Sequence, residues 1–265
     1  MKAMFEAYAA QVLPRRFHLR PDSLVSLRCI GIGESAIQQK LQDYAPPVGV
    51  QLGFRATIDD VQIKLLFPAG YDRQDKERSV NRLAEIVGDD IYAIDGLDET
   101  LGDLPAIVAQ LMQRQSRTLA IFETASQGMI AAKCLGQDWL AGAEVGLDMR
   151  QLLNRHQVAD DNDLSRVAQE LAAAWHAKHN ADWVLVQCWQ GGWSAYQDRN
   201  QVIEVCHCLH DGSKVMAERR HTLGGAMVNK QNQATLLALD LLRRHLKAFS
   251  NRQNADIIAS PTEEP

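Results

Sequence analysis

Strict alternation of apolar and polar residues is the strongest constraint on how the first third of this chain can fold. Val48, Val50, Leu52 and Phe54 alternate with Gly49, Gln51 and Gly53, and Val61, Ile63, Leu65 and Phe67 repeat the pattern after the polar connection Thr57 to Asp60. A period of two places every apolar side chain of such a run on one face, which predicts a β-hairpin with one wet side. Before it, Leu24 to Ile30 reads as a strand and Ser35 to Tyr44 as a helix whose Ile37, Leu41 and Tyr44 share a face. After it, Val80, Leu83, Ala84 and Val87 keep helical spacing until Gly88, and Ile91 to Ile94 reads as a short strand. This order predicts a small α+β domain over residues 1–97.

Beyond the acidic, glycine-bearing connection Asp95 to Asp103, strands and helices alternate. Leu104, Val108, Leu111 and Met112 mark a helix, Thr118 to Phe122 a strand, and Met129 to Cys134 a second helix. Asp163 caps a helix carrying Val167, Leu171 and Trp175. Trp183 to Cys188 and Gln201 to Leu209 are further apolar strands, and Ala234, Leu237, Ala238, Leu241 and Leu242 form a last helical stripe. The pattern predicts a layered α/β domain over residues 98–249, so the fold class is α/β overall, with residues 250–265 as a flexible polar tail.

Composition narrows the function classes. The longest stretch without Lys, Arg, Asp or Glu, Trp183 to Gln197, carries three glutamines and two glycines, so no segment reads as membrane-spanning. The first residues show no signal peptide, and the expected location is the cytoplasm. Five cysteines, Cys29, Cys134, Cys188, Cys206 and Cys208, lie in apolar contexts that suit buried thiols. The net charge of -5 is spread over both halves, without the basic excess that a polyphosphate backbone attracts, so nucleic acid is a poor partner.

Several stretches carry candidate chemistry. Gly31-Ile32-Gly33-Glu34-Ser35-Ala36 lies between a strand and a helix, but the third glycine of a phosphate cradle is missing and Glu34 repels an anion; it reads as a tight turn. In Cys206-His207-Cys208-Leu209-His210 alternate side chains share a face, yet zinc spacing and a second half-site are absent, so the cysteines read as buried. His176 and His179 read as a helix-surface pair, and no metal or cofactor is implied. Trp189 and Trp193 flank Gly191-Gly192 beyond an apolar strand, where either a ligand or the core accounts for them. The most informative stretch is Thr118 to Ala132. There a strand ends in the small, hydroxylated turn Glu123-Thr124-Ala125-Ser126-Gln127-Gly128 and opens a helix, a geometry that presents a nucleophile or holds an anion. Thr124 or Ser126 attacks a carbonyl only with a general base beside it, and the local sequence supplies none.

This stretch resembles the signature of the C-terminal domain of the CinA family, competence/damage-inducible proteins that include nicotinamide-nucleotide amidohydrolases. The family pattern T-L-A-x-A-E-S-C-T-G-G reads here Thr118-Leu119-Ala120-Ile121-Phe122-Glu123-Thr124-Ala125-Ser126-Gln127-Gly128. Val12-Leu13-Pro14, Gly31-Ile32-Gly33-Glu34-Ser35 and Ile91-Tyr92 resemble the family's middle domain. The resemblance implies a KH-like first domain, a CinA C-terminal-type second domain and a homo-oligomer. The chain begins about where the family's molybdopterin-binding-like first domain would end.

The resemblance further implies that Thr124 stands where the family has its nucleophilic serine, which is helped by the tyrosine and lysine of a T-Y-S-N-x-x-K motif in hydrolysing the nicotinamide mononucleotide carboxamide to acid and ammonia. The corresponding region, Ala143 to Gln151, has neither residue, and Arg150 in the lysine's place stays protonated at working pH. A third family loop, G-I-A-G-P-x-G-G, corresponds to Val186 to Gly192, where only the final glycines remain. The reading that follows is a CinA-like protein without amidase activity that keeps a site for a nicotinamide or other nucleotide, or another small anion. That site would use Glu123, Ser126, Gly128, Gly191 and Gly192, with Arg219 or Arg220. The alternatives are a working amidohydrolase using Thr124, or less directly Ser126, and an oligomeric partner-binding module.

Overall fold

The computed structural model describes residues 2–17, 21–97, 102–146, 148–159 and 161–259. The chain divides into two compact units, one of residues 1–57 and 61–100, the other of residues 101–265 with the 58–60 turn. The first unit opens with helices α1 (Lys2–Gln11) and α2 (Leu13–Arg16). It continues through β1 (Ser23–Cys29), α3 (Glu34–Lys40), β2 (Gln51–Ala56), β3 (Val61–Phe67), α4 (Arg73–Val87) and β4 (Ile91–Asp95).

The four strands form an antiparallel sheet in the order β2-β3-β1-β4, with Leu52 opposite Leu65 and Leu27 opposite Ile63. Alternation along β1 and β3 turns Val25, Leu27, Cys29, Ile63, Leu65 and Phe67 inward, where α3 and α4 cover them through Ile37, Val80 and Leu83. Asp72 caps α4 by accepting from Asp75 N, and Gly88 ends it at a φ of +74°. The expected hairpin is present, but its first strand begins at Gln51. Val48 is 99% exposed, because the backbone turns at Pro47, where Val50 N donates to Pro47 O and Gly49 takes a φ of +83°.

The second unit contains α5 (Leu104–Gln115), β5 (Leu119–Glu123), α6 (Met129–Cys134), β6 (Leu140–Val145), α7 (Met149–His156) and α8 (Leu164–His176). There follow β7 (Trp183–Gln190), α9 (Gly192–Gln197), β8 (Ile203–His210), β9 (Val215–Leu223) and α10 (Met227–Ala259). The sheet order is β6-β5-β7-β8-β9, with β5 parallel to β6 and β7, and β8 antiparallel to β7 and β9.

Period-two alternation splits the apolar residues of this sheet between two layers. Phe122, Val186, Cys188, Cys206 and Cys208 pack on α8 through Leu164, Ala168, Leu171 and Trp175. Gln187, Val205 and His207 face the opposite side, toward α10. All five cysteines are buried, and none is in a disulfide among the described residues. Edge strand β6 is fastened by Glu144, which accepts from Trp175 Nε1 at 3.0 Å and Arg155 Nη1 at 2.7 Å.

In the second unit the sequence pattern missed β6, α7, α9 and β9. The two strands lie at sheet edges with one or both faces wet, and the two helices are too short to show a stripe. The backbone of α10 stays helical to Ala259, into the segment expected to be a tail, and residues 260–265 lie outside the described residues. No proline interrupts this extension.

Gly96, just beyond β4, has a φ of +95°, and a Cβ there would lie 2.2 Å from the Leu24 carbonyl oxygen. Gly96→Ala is therefore expected to lower the unfolding free energy by about 2 kcal/mol or more. Gly53→Ala, whose Cβ would meet nothing within 4 Å, is expected to change it by less than ~1 kcal/mol. Urea denaturation followed by circular dichroism measures both.

Candidate functional site

Strand β5 delivers Glu123 at its carboxyl end, and the next five residues turn the chain into α6. Gln127 N donates to Thr124 O at 3.1 Å and Met129 N to Ser126 O at 3.2 Å, which closes the turn. Gln127 takes a φ of +52° and Gly128 one of +94°. The left-handed region costs a side-chain-bearing residue roughly 1–2 kcal/mol. Gln127 offsets this by accepting from Gln231 Nε2 at 2.6 Å.

No residue beside the turn caps α6 with its side chain; Glu123 does so from the strand. Its fully buried carboxylate accepts from Ile130 N at 2.9 Å and Ala131 N at 2.8 Å, and the Ser126 hydroxyl lies against Oε2. The positive end of the helix is thus occupied by the protein's own carboxylate.

Gln187, on neighbouring strand β7, reads this turn from the other side. Its side-chain oxygen accepts from Ser126 N at 2.8 Å and lies 2.8 Å from Ser126 Oγ. That fixes the amide orientation, so Nε2 donates to Ala234 O at 3.0 Å and faces His207 Nε2 at 3.1 Å. The Thr124 hydroxyl donates to the Gln187 backbone oxygen at 2.8 Å, and Thr124 is 1% exposed. A carbonyl oxygen accepts a hydrogen bond but does not act as a base at working pH. Tyr196, on α9, donates its hydroxyl to Ala125 O, and burial pushes its phenol up to about 12. Lys230 is buried at the start of α10, where Nζ caps α9 through Ala195 O at 2.5 Å and Asp198 O at 2.8 Å.

A cavity of about 560 Å³ opens beside this network. Trp189, Gly191, Gly192 and Trp193 line it together with Arg150 and other residues of α7 and α8. Trp193 is 46% exposed and stacks on Tyr196 at 5.2 Å with the rings 5° apart. Ala125 packs in a cluster with Trp189 and Tyr196, so apolar side chains lie between the turn and the cavity.

The structure therefore brings Glu123, Thr124 and Ser126 together in a sealed polar network, whereas Gly191 and Gly192 line the cavity. Gly128 lies at the start of α6, where a Cβ would meet Val145 at 3.7 Å. Arg219 and Arg220 lie on β9, outside the cavity lining, and Arg220 pairs with Glu204 at 3.0 Å. Of the pair His176 and His179, the second packs on Trp175 at 4.2 Å and the first lies over Gly212. The residues missed by sequence reasoning are Gln187 as an anchor, Tyr196, Lys230 and Gln231. For Gln187 a signal existed, a lone amide within the apolar run Trp183 to Cys188; for the others the partners are distant backbone oxygens or side chains.

His207 is fully buried with Nε2 3.0 Å from Ala234 O, and its Nδ1 has no partner among the described residues. Burial, with His221 adding to it, pushes the imidazole down from 6.5 to about 3. His210 and His221 are lowered as well, mainly by burial. In the unfolded chain these groups take up protons below pH 6.5, while folded His207 does so only near pH 3. The contribution of His207 to stability is therefore full above pH 6.5 and is lost as pH falls toward 3, by up to about 1.4 kcal/mol per pH unit, and His210 and His221 act in the same direction. Thermal melts at decreasing pH are expected to show a falling Tm, with a shallower slope in His207→Leu.

No protein-family model matches the chain. A competence-damage inducible protein of Halothermothrix orenii is 31% identical over 140 residues, covering 50% of this chain and 32% of that protein. A CinA-like protein of Shewanella piezotolerans is 23% identical over 261 residues, covering 92% of this chain and 59% of the relative. A CinA-superfamily crystal structure from Klebsiella pneumoniae aligns with a TM-score of 0.46 and 18% identity, over 55% of this chain and 96% of that one. The chain thus spans about a third to three fifths of the length of these curated relatives. By sequence the chain is thus similar to CinA-like, competence/damage-inducible proteins.

Proposed function

We propose that this protein binds a small planar ligand of the nicotinamide-nucleotide class and does not hydrolyse it. The observation that carries the reading is the Thr124 hydroxyl, buried and donating to the Gln187 carbonyl oxygen, away from the cavity lining. A nucleophile needs a base at its proton and substrate at its oxygen. Among the described residues Thr124 Oγ1 has neither a lysine, a histidine nor a carboxylate as hydrogen-bond partner. Arg150 lines the cavity, but a guanidinium does not accept a proton there. The cavity volume and its two indoles suit a ligand of nucleotide size.

A second reading has one observation in its favour, the contact of Ser126 Oγ with Glu123 Oε2. It would place nucleophile and base together, although both are fully buried and Glu123 already serves two helix N–H groups. An ammonia-release assay on nicotinamide mononucleotide separates the readings. The expected result is no ammonia above the blank together with measurable binding heat, and unchanged binding in Thr124→Ala. Ammonia release abolished by Thr124→Ala or Ser126→Ala would replace the binding reading with an amidohydrolase.

A further inference from the structure

We propose that Arg150 gives the cavity a preference for aromatic ligands that end in a carboxylate over the same ligands ending in a carboxamide. The inference rests on the reading of this cavity as a ligand site and specifies the ligand's polar end. Three charged residues line the cavity, Asp148, Arg150 and Asp161. Both carboxylates are already engaged by the protein. Asp148 Oδ1 accepts from Arg150 N at 2.9 Å and Gln151 N at 3.3 Å as the cap of α7. Asp161 accepts from Asp163 N at 2.9 Å and pairs with Arg166 at 3.1 Å.

The Arg150 guanidinium, by contrast, has no ion pair or hydrogen bond among the described residues, so it is the cavity's available charge. It presents parallel N–H donors in a plane, which match the two oxygens of a carboxylate. A carboxamide offers one acceptor and one N–H₂ group, and the latter faces the guanidinium donor to donor. The aromatic part has its place at Trp193, which lines the same cavity. Trp193 is held by its stack on Tyr196 while half its surface stays open, so a ring can pack there with little loss of side-chain freedom. Arg150 itself is exposed, which limits the discrimination to about tenfold rather than the larger ratios of a desolvated pair.

Titration calorimetry tests this with two matched pairs, nicotinic acid mononucleotide against nicotinamide mononucleotide, and free nicotinate against nicotinamide. The wild-type protein is expected to bind the acid member about tenfold more tightly. Arg150→Gln is expected to abolish the difference, and Arg150→Lys to keep only part of it. Thermal melts establish that each variant is folded. A preference in both pairs assigns the acidic ring alone as sufficient, and one confined to the nucleotides assigns the phosphorylated form. Equal affinities within each pair, or a preference that survives Arg150→Gln, would overturn the inference and leave the cavity a ligand site. Failure of all four compounds to bind at millimolar concentration would overturn both this inference and the reading beneath it.

Discussion

A carboxylate with no exposed surface is tolerated only when donors surround it, and in this protein that condition organises the whole second unit. Glu123 meets it with the N–H groups of Ile130 and Ala131 and the Ser126 hydroxyl. Because the donors come from the helix that follows, the end of β5 and the start of α6 are locked at one angle. Ser126 in turn engages Gln187, and Gln187 reaches Ala234 and His207. One buried charge thereby links strands β5, β7 and β8 to helices α6 and α10.

That linkage has a chemical consequence. Hydroxyls that hold a turn together have their lone pairs and protons engaged, and a hydroxyl donating to a sheet carbonyl is aligned for structure rather than attack. The turn holds a left-handed backbone at Gln127 as well as at Gly128, with Gln231 supplying a partner for the Gln127 side chain. The cavity beside it presents flat indole surface, two glycines, and a guanidinium without a hydrogen bond or ion pair among the described residues. On the proposed reading, recognition and hydrolysis have become separable, because they depend on different side chains.

Legibility in the sequence followed burial. Elements with one buried face, such as β3, α4 and α8, announce themselves through period, and their ends through residues such as Gly88 and Asp163. The edge strands β6 and β9 carry charged and small residues, since one side of each is unpaired and wet, so period alone does not expose them. Val48 shows the opposite error. It fits the alternation of a strand, but the prolines before it dictate a turn that no periodicity registers.

The sequence by itself determined most helices and central strands, and the strand-turn-helix passage through Glu123 to Gly128. Those properties depend on neighbours a few residues apart, where period, caps and turn chemistry act. Only the tertiary structure decided which way the hydroxyls point and what they meet. Thr124 and Gln187 are 63 residues apart in the chain, and Arg150 on α7 and Trp193 on α9 line one cavity although different strands precede them. Such encounters are set by sheet pairing and helix packing, which the local pattern of residues does not encode.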